Sequence, residues 1–245
     1  MNQLKSSVLA VIPARGGSKG LPGKNLKELH GRSLVRHAIK FANSSPLITE
    51  IVITSDSTDI LNDAKKENVA KPIFYLSRPD ELASDETKDA PVLRHALESY
   101  EDRIQKKIEL IAMLQPTSPL RLNEDVESCI NVINDFGGSS AWTISEVPLK
   151  YNYRKQFHLA SNFVLTDSSI EGHITQRQDL EVTYIRNGLC YVYTRQTILE
   201  DEKLRGKRWR GVMIDRNVVN IDSQDDFEVL EQNTTYDGSA IRWKL

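Results

Sequence analysis

Short apolar runs alternate with amphipathic stretches along the first 145 residues of the chain. The runs are rich in Val, Ile and Leu, as strands buried on both faces of a parallel sheet are. The predicted strands are VLAVI (8–12), IVIT (51–54), PIFYL (72–76), ELIAML (109–114) and SSAWTIS (139–145).

The stretches between these runs repeat their apolar positions with a period near 3.6 residues, which predicts helices. They are SLVRHAIKFANSS (33–45), STDILNDAKKENV (57–69), TKDAPVLRHALESYEDR (87–103) and EDVESCINVINDF (124–136). Strands and helices that alternate in this way predict an α/β fold, with a mostly parallel twisted sheet and helices on both faces.

The alternation stops at about residue 145. Residues 146–186 are polar, weakly periodic and rich in Tyr, Arg and Lys. Such a segment is long for a structureless loop, so we interpret it as either a functional segment or an interface arm. The regular pattern then returns with predicted strands GLCYVYT (188–194), GVMID (211–215) and VVNID (218–222), and a final helix SQDDFEVLEQN (223–233). We predict a single domain over residues 1–245 with an arm inserted at 146–186.

Charge and composition exclude some classes of function. The formal net charge is −2, which gives no support to broad nucleic-acid binding. No stretch approaches the ~18 apolar residues of a membrane-spanning helix, so no membrane association is predicted. Cys129 and Cys190 lie in apolar surroundings without metal-ligand spacing, which predicts reduced core residues. Because the N-terminal apolar run is too short for a leader, we expect a cytoplasmic protein.

The first strand runs into a glycine-rich loop, VIPARGGSKGLPGKN (11–25). Its four glycines fit neither the G-x-G-x-x-G dinucleotide pattern nor the G-x-x-x-x-G-K-[ST] phosphate loop, since no two are two positions apart and Asn25 follows Lys24. The loop lies where α/β proteins bind ligands, at the carboxyl end of a strand. Backbone N–H groups and three cations there predict binding of phosphates and stabilisation of a leaving pyrophosphate.

This loop, read as A-R-x-x-S-K-G-[LI]-x-x-K-N, resembles the N-terminal motif of the acylneuraminate cytidylyltransferases, the CMP-sialic acid synthetases. The resemblance continues in order over most of the chain, which makes it specific. The further motifs are RPDELASD (78–85), QPTSPLR (115–121), RQDL (177–180), RNG-x-x-Y (186–191) and NIDSQDDF (220–227).

The resemblance implies a fold of the nucleotide-diphospho-sugar transferase type. It implies a reaction in which CTP and a nine-carbon 2-keto sugar acid give the CMP-sugar acid and pyrophosphate, with Mg²⁺ (or Mn²⁺) as cofactor. It also implies a homodimer with shared active sites, in which the arm crosses to the other subunit and supplies cations there.

Residue roles follow from the same resemblance. The catalytic residues are Arg15, Lys24 and Asp222. The nucleotide-binding residues are Arg15, Ser18, Lys19, Lys24, Asn25, Arg78 and Asp85. The residues that bind the sugar acid are Gln115, Lys150, Arg177, Arg186, Asn187 and Tyr191. Arginine suits an acceptor of this kind, because its guanidinium matches a carboxylate with two parallel hydrogen bonds.

The predicted metal ligands are Asp222, Asn220 and Asp226. The family usually has a carboxylate where this chain has Asn220, and an amide oxygen can bind Mg²⁺ but brings no charge. Asp226, with Asp225, has a second interpretation as a charge in the first turn of the final helix.

The sequence leaves open which substrate accepts the cytidylyl group of CTP. Family members that use sialic acid often carry serines after RPDELASD, whereas this chain has Lys88, Asp89, Ala90 and Pro91. The stretch D-E-T-K-x-x-P-V-x-R-x-A-L is more similar to the legionaminic-acid branch. The alternatives are an eight-carbon keto acid, a sugar 1-phosphate, or a nucleotide-binding protein without turnover.

Overall fold

The computed structural model describes residues 7–18, 20–84, 86–170, 172 and 176–244. Two residues with predicted roles, Lys19 and Asp85, lie outside the described residues. The side chain of Arg177 is likewise not described.

Thirteen strands are formed within the described ranges. They are β1 (Val8–Pro13), β2 (Glu28–Leu29), β3 (Arg32–Ser33), β4 (Glu50–Ser55), β5 (Ile73–Ser77), β6 (Leu110–Met113), β7 (Ser140–Glu146), β8 (Phe157–Leu159), β9 (Leu165–Asp167), β10 (Tyr184–Thr194), β11 (Trp209–Met213), β12 (Thr234–Tyr236) and β13 (Ile241–Trp243). The α-helices of the same ranges are α1 (Leu34–Ser44), α2 (Thr58–Ala64), α3 (Asp89–Ile104), α4 (Asn123–Phe136), α5 (Arg195–Glu200) and α6 (Gln224–Asn233).

A seven-stranded sheet forms the centre, in the order β11-β7-β10-β6-β1-β4-β5. Strands β6, β1, β4 and β5 are parallel to one another in one half of the sheet, and β11 is parallel to β7. Strand β10 is antiparallel to both β6 and β7. The prediction of a mostly parallel α/β sheet is confirmed, with β10 as its antiparallel member.

Helices cover both faces of the sheet, as predicted. Leu9 and Val11 of β1 point to the face covered by α3, whereas Ala10 and Ile12 pack with the core beneath α1. This alternation along one fully buried strand is the period-2 pattern of a sheet with two cores. Both predicted core cysteines are free and buried.

Two element predictions need correction. Residues 218–222 are not a strand: they pair with no sheet strand, and the Ile221 N–H donates to the Thr117 carbonyl at 2.8 Å. Helix α2 ends at Ala64 rather than near residue 69, because Glu67 turns inward to pair with Arg32 and Arg36 at 3.0 and 3.2 Å. Helix α5 and the short hairpins were not predicted.

The arm segment holds little regular structure beyond a hairpin of β8 and β9, whose six residues are all exposed. Short 3-10 turns flank this hairpin, at Leu149–Tyr151 and Tyr153–Lys155 among others. No helix of the described residues is long and apolar enough to cross a membrane.

Candidate functional site

A cavity of about 310 Å³ opens at the carboxyl ends of the parallel strands, beside the glycine-rich loop. Sequence positions that are more than 200 residues apart meet there, because β1 and the segment before α6 converge at this edge. The predicted site residues that line it are Arg15, Ser18, Lys24, Asn25, Arg78, Gln115, Asn220 and Asp222.

The glycine-rich loop follows its path because it lacks side chains at two close approaches. A Cβ atom at Gly20 would lie 2.5 Å from the Asp222 carbonyl oxygen, and one at Gly16 would lie 2.9 Å from the Ser57 Cβ. The Gly16 N–H donates to the Asp56 carboxylate at 2.9 Å. The loop is therefore held against both the end of β4 and the segment that carries Asp222.

Asn25 fixes the shape of this loop from inside. Its buried side chain donates to the Arg15 carbonyl at 2.9 Å, which ties the end of the loop back to its start. Its amide oxygen has no hydrogen-bond partner among the described residues. Asn25 thus holds the two ends of the loop together.

Lys24 reaches across the cavity to the segment before α6. Its Nζ donates to the Ile221 carbonyl at 2.7 Å and to Asp222 Oδ1 at 3.0 Å. The Lys24 side chain is 13% exposed, whereas Asp222 is 71% exposed and free to bind a ligand on its outer side. A cation and an accessible carboxylate are thereby placed side by side at the cavity edge.

Asn220 and Asp226 have other contacts in this structure. Asn220 accepts a hydrogen bond from the Ser118 hydroxyl at 2.8 Å and donates to Asp222 Oδ2 at 3.1 Å. Asp226 lies outside the cavity lining and accepts from the backbone N–H groups of Asp222 and Ser223, at 3.0 and 2.8 Å. With Ser223 it forms a capping box that starts α6.

Burial alone would raise the pKa of Asp226, but the hydrogen bonds from Ser223 and Asp222 outweigh it and lower the pKa. Within the described residues, no three His, Cys, Asp or Glu side chains gather as a metal site. Asp222 is therefore the carboxylate of the cavity edge that is open to a cation.

Arg78 forms the floor of the cavity between β4 and β5. Its guanidinium Nη2 donates to the Thr54 carbonyl at 2.9 Å, and the side chain is buried. Burial lowers its pKa, with Asp56 and Asp89 acting in the opposite direction. The fixed Arg78 side chain is part of the cavity lining.

The turn after β6 places Gln115 in the cavity lining, and a buried arginine holds this turn in position. Arg121 is buried and donates to the Gln115 carbonyl at 2.9 Å and to the Leu189 carbonyl. Burial lowers the pKa of Arg121 to about 10. Arg121 therefore ties this turn to β10.

The predicted acceptor residues of β10 lie beside the cavity rather than in its lining. A bulge between Arg186 and Tyr191 places Gly188 at φ 80°, where a Cβ atom would lie 2.4 Å from Ser118 Oγ. Asn187 donates to Ser145 Oγ at 3.0 Å, and the Tyr191 hydroxyl accepts from the Gly188 N–H at 2.8 Å. These contacts shape the bulge next to the turn at residues 115–119.

Arg186 is exposed and lies on aromatic rings. Its guanidinium is 5.0 Å from the Trp142 ring centroid and 5.6 Å from that of Tyr191. Lys150 is also exposed, in the arm, 4.7 Å from the Tyr151 ring. Neither lines the cavity of this chain. The backbone of Arg177 lies in a 3-10 turn of the arm.

The sequence assigned no role to several residues that the structure places in the cavity. Asp89, the first residue of α3, lines it, as do Thr87 and Thr117. Ser118 holds Asn220, and Asp56 holds the loop at Gly16. The departure at positions 88–91 was visible in the sequence, but nothing there indicated that Asp89 faces the site.

Together these groups form a cavity with two chemically different ends. Loop amides, Arg15, Lys24 and Asp222 suit a polyphosphate and a divalent cation. Arg78, Gln115 and Asp89 offer donors and acceptors for a polar organic group. Such a cavity at the strand ends of a mostly parallel sheet defines an α/β nucleotide-binding enzyme.

Comparison with known proteins assigns this enzyme to a family. Residues 9–234 match the cytidylyltransferase family, so the chain belongs to that family. The resemblance of the sequence motifs is thereby confirmed.

Two characterised relatives align over nearly their whole length. A CMP-N,N'-diacetyllegionaminic acid synthase of Campylobacter jejuni is 30% identical over 228 residues, covering 92% of this chain and 94% of the relative. A protein of the same name from Legionella pneumophila is 28% identical over 233 residues, 92% of this chain and 95% of the relative.

A solved structure, CMP:2-keto-3-deoxy-manno-octonic acid synthetase complexed with CTP, superposes with a TM-score of 0.68. It is 15% identical, and the match covers 93% of this chain and 98% of that one. At this identity the likeness shows the fold alone, and it agrees with the predicted α/β architecture.

Proposed function

We propose that this enzyme transfers the cytidylyl group of CTP to a nine-carbon 2-keto sugar acid of the sialic or legionaminic type. The products are the CMP-sugar acid and pyrophosphate. The observation that carries the proposal is the ion pair of Lys24 with the exposed Asp222 at the edge of a cavity. Arg15, Arg78 and Gln115 line the same cavity. The two relatives named for CMP-diacetyllegionaminic acid synthesis support the legionaminic type of acceptor.

In this reaction the anomeric hydroxyl of the sugar acid attacks the α-phosphorus, and the bond to the bridging oxygen of pyrophosphate breaks. Lys24, Arg15 and the loop amides neutralise the charge that grows on the leaving pyrophosphate. Arg78 orients the nucleoside, and Gln115 hydrogen-bonds the acceptor. Lys19, Ser18 and Asp85 complete the nucleotide side of the proposed site.

Asp222 is the proposed ligand for Mg²⁺ or Mn²⁺. Mg²⁺ is typically held by one or two protein carboxylates together with phosphate oxygens, so the donor set of the cavity edge fits it. When bound, the cation neutralises phosphate charge and polarises the α-phosphate. In the present contacts Asn220 orients Asp222 through its amide group, and Asp226 supports the same segment through the helix cap.

We further propose that two copies of the chain share their active sites through the arm at 146–186. Several apolar side chains of the arm are largely exposed, among them Leu159 at 65%, Phe163 at 89% and Leu165 at 59%. A two-stranded hairpin with such a surface gains stability by packing on a partner. Lys150 and Arg177 would then serve the partner's cavity, whereas the acceptor residues of β10, which are Arg186, Asn187 and Tyr191, serve the cavity of their own chain. The buried free cysteines support a cytoplasmic setting for the enzyme.

Pyrophosphate release tests the proposal. The purified chain with Mg²⁺ is assayed with each of the four nucleoside triphosphates and with sialic, legionaminic, pseudaminic and eight-carbon keto acids. The proposal predicts release only with CTP and a nine-carbon acid. Pyrophosphate release with an eight-carbon acid alone would instead favour the alternative acceptor. If the folded protein binds CTP but releases no pyrophosphate with any acid, the result would favour a nucleotide-binding protein without turnover.

A further inference from the structure

Asp89 stands out among the cavity residues because its carboxylate has no protein partner. It is the first residue of α3 and lines the cavity with Thr87, Val92 and Gln115. No hydrogen bond or ion pair joins it to another residue in the described part of the chain. Partly buried carboxylates are normally satisfied by such contacts, so an unsatisfied one in a substrate cavity indicates a ligand partner.

The surroundings of Asp89 limit what that partner can be. Two arginines attract its charge from a distance, Arg186 more strongly than Arg78, while burial raises the pKa of the carboxyl. A carboxylate accepts hydrogen bonds and repels anions. Among the groups of the two substrates, the phosphates of the nucleotide and the carboxylate of the sugar acid are therefore excluded from its immediate contact, which leaves hydroxyl and N–H donors.

Position decides between the donors of the nucleotide and those of the acceptor. Lys24 and Asp222 pair at the phosphate-binding edge of the cavity, and neither is among the charged neighbours of Asp89, which are Arg186 and Arg78. Its strongest electrostatic neighbour is Arg186, which stands on Tyr191 next to the β10 bulge. Gln115, Arg186 and Tyr191 are the residues assigned above to the sugar acid, so Asp89 faces the acceptor side.

We propose that Asp89 is a specificity-determining residue, whose carboxylate accepts a hydrogen bond from a hydroxyl or amide N–H group of the sugar-acid acceptor. The inference rests on the proposed function, since it deepens the acceptor side of the same site. It makes Asp89 the residue through which the enzyme selects acceptors that carry a donor at that point.

The test compares Asp89→Asn and Asp89→Ser with the wild type. Initial rates are measured with varied acceptor at saturating CTP and with varied CTP at saturating acceptor. The acceptors are nine-carbon acids that carry two acylamino groups, one acylamino group or hydroxyl groups only. Glu86→Gln is the matched control, because Glu86 is an exposed carboxylate three residues earlier and does not line the cavity.

Replacing the charged hydrogen-bond acceptor by a neutral one predicts a rise of about tenfold in the KM for the preferred acceptor. The KM for CTP stays within about twofold, the ranking of the acceptors changes, and Glu86→Gln behaves as wild type. Thermal unfolding of each variant measures whether the fold is retained. If Asp89→Asn does not fold, the same rates are measured with Asp89→Ser, which has a small polar side chain.

The failures of the two proposals are distinguishable. A wild type that turns over CTP and acceptor, with variants whose acceptor KM and ranking are unchanged, overturns the role of Asp89 alone. A rise in the KM for CTP with no change for the acceptor overturns it too, since it assigns Asp89 to the base. A wild type that releases no pyrophosphate with any acceptor overturns the proposed function and this inference with it.

Discussion

In the proposed function, we expect phosphate binding to depend most on Lys24. Its Nζ already lies between the Ile221 carbonyl and Asp222, so its position is fixed before a nucleotide arrives. Such preorganised charge acts on the transition state without a cost of reorientation.

Replacing Lys24 by Met removes this charge and keeps most of the side-chain volume. We expect kcat/KM for CTP to fall about 100-fold or more. Lys27→Met is the control, because Lys27 carries the same charge nearby but contacts Gln224 and the Phe227 ring outside the cavity. Steady-state rates of pyrophosphate release measure both variants, and equal losses in the two would contradict the role of Lys24.

In the proposed function, we expect Asn220 and Asp222 to set how strongly the cavity edge binds a divalent cation. Asn220→Asp adds a second carboxylate beside Asp222, so the half-saturating Mg²⁺ concentration should fall severalfold. Asp222→Asn should raise it about tenfold or more, as loss of a ligand does. Rates measured over a Mg²⁺ titration separate these effects from changes in CTP binding.

Asn217→Asp is the control for the Mg²⁺ titration, since it adds the same charge at an exposed position three residues earlier. A shift of equal size in Asn217→Asp would show that net charge, rather than ligation at the cavity edge, sets the Mg²⁺ requirement.

At the scale of elements, α1 is joined to the β2–β3 hairpin by a buried histidine. His37 Nε2 bonds to the Leu29 carbonyl at 2.7 Å, and its ring meets Tyr236 edge-on at 5.3 Å. Burial lowers the pKa of His37 to about 4, with Arg32 and His30 acting in the same direction.

This histidine should make the fold sensitive to mild acid. Its folded pKa lies below the unfolded value of 6.5, so its contribution to stability is present above pH 6.5 and is lost as the pH falls towards 4. At pH 5 the loss is about 2 kcal/mol in the free energy of unfolding. Urea unfolding at pH 7.5 and 5.0 measures it.

His37→Gln keeps a donor for the Leu29 carbonyl but does not titrate, so its stability should change less between the two pH values. His158→Gln, at an exposed position of the arm, serves as the control. The same pH dependence in wild type and His37→Gln would contradict the assignment.

Elements with a strong local pattern could be predicted from the sequence, and those set by distant contacts could not. The strand VLAVI and the helix that follows Ser33 are present because burial and capping agree with the local period. Residues 218–222 have the composition of a strand, but their partner is the Thr117 turn rather than a sheet edge. Helix α2 is shortened by Glu67, whose partners Arg32 and Arg36 lie more than 30 residues earlier.

The same distinction holds for the candidate site. The glycine-rich loop, Arg78, Gln115 and Asp222 could be assigned from motifs, and all of them line one cavity. The contact between Gly20 and the Asp222 carbonyl spans 202 positions, so no local pattern reveals why a glycine is needed there. Asp89 was not predicted as a site residue, because a carboxylate at the start of a helix is ordinarily explained by its interaction with the helix dipole.

At the scale of the whole molecule, the arm is the segment whose apolar surface its own chain leaves uncovered. The β8–β9 hairpin is exposed over its full length, and residues such as Leu159 and Phe163 contact little of their own chain. The proposed homodimer covers this surface and brings the cations of the arm to the partner's cavity.

Phe163→Asp should therefore weaken the dimer and lower activity together. Light scattering after size exclusion should give twice the chain mass of 27.8 kDa for the wild type and a concentration-dependent decrease for the variant. Phe136→Asp is the control, since Phe136 is 61% exposed on α4, outside the arm. A monomeric wild type with full activity would contradict shared active sites.

The most direct measurement follows the α-phosphorus of CTP. CTP labelled at that phosphorus is incubated with the enzyme, Mg²⁺ and a legionaminic-type sugar acid, and the products are separated. The account predicts that the label appears in a phosphodiester between CMP and the sugar acid, with one unlabelled pyrophosphate released for each product formed. Label that stays in CTP, or that is found only in free CMP, would contradict it.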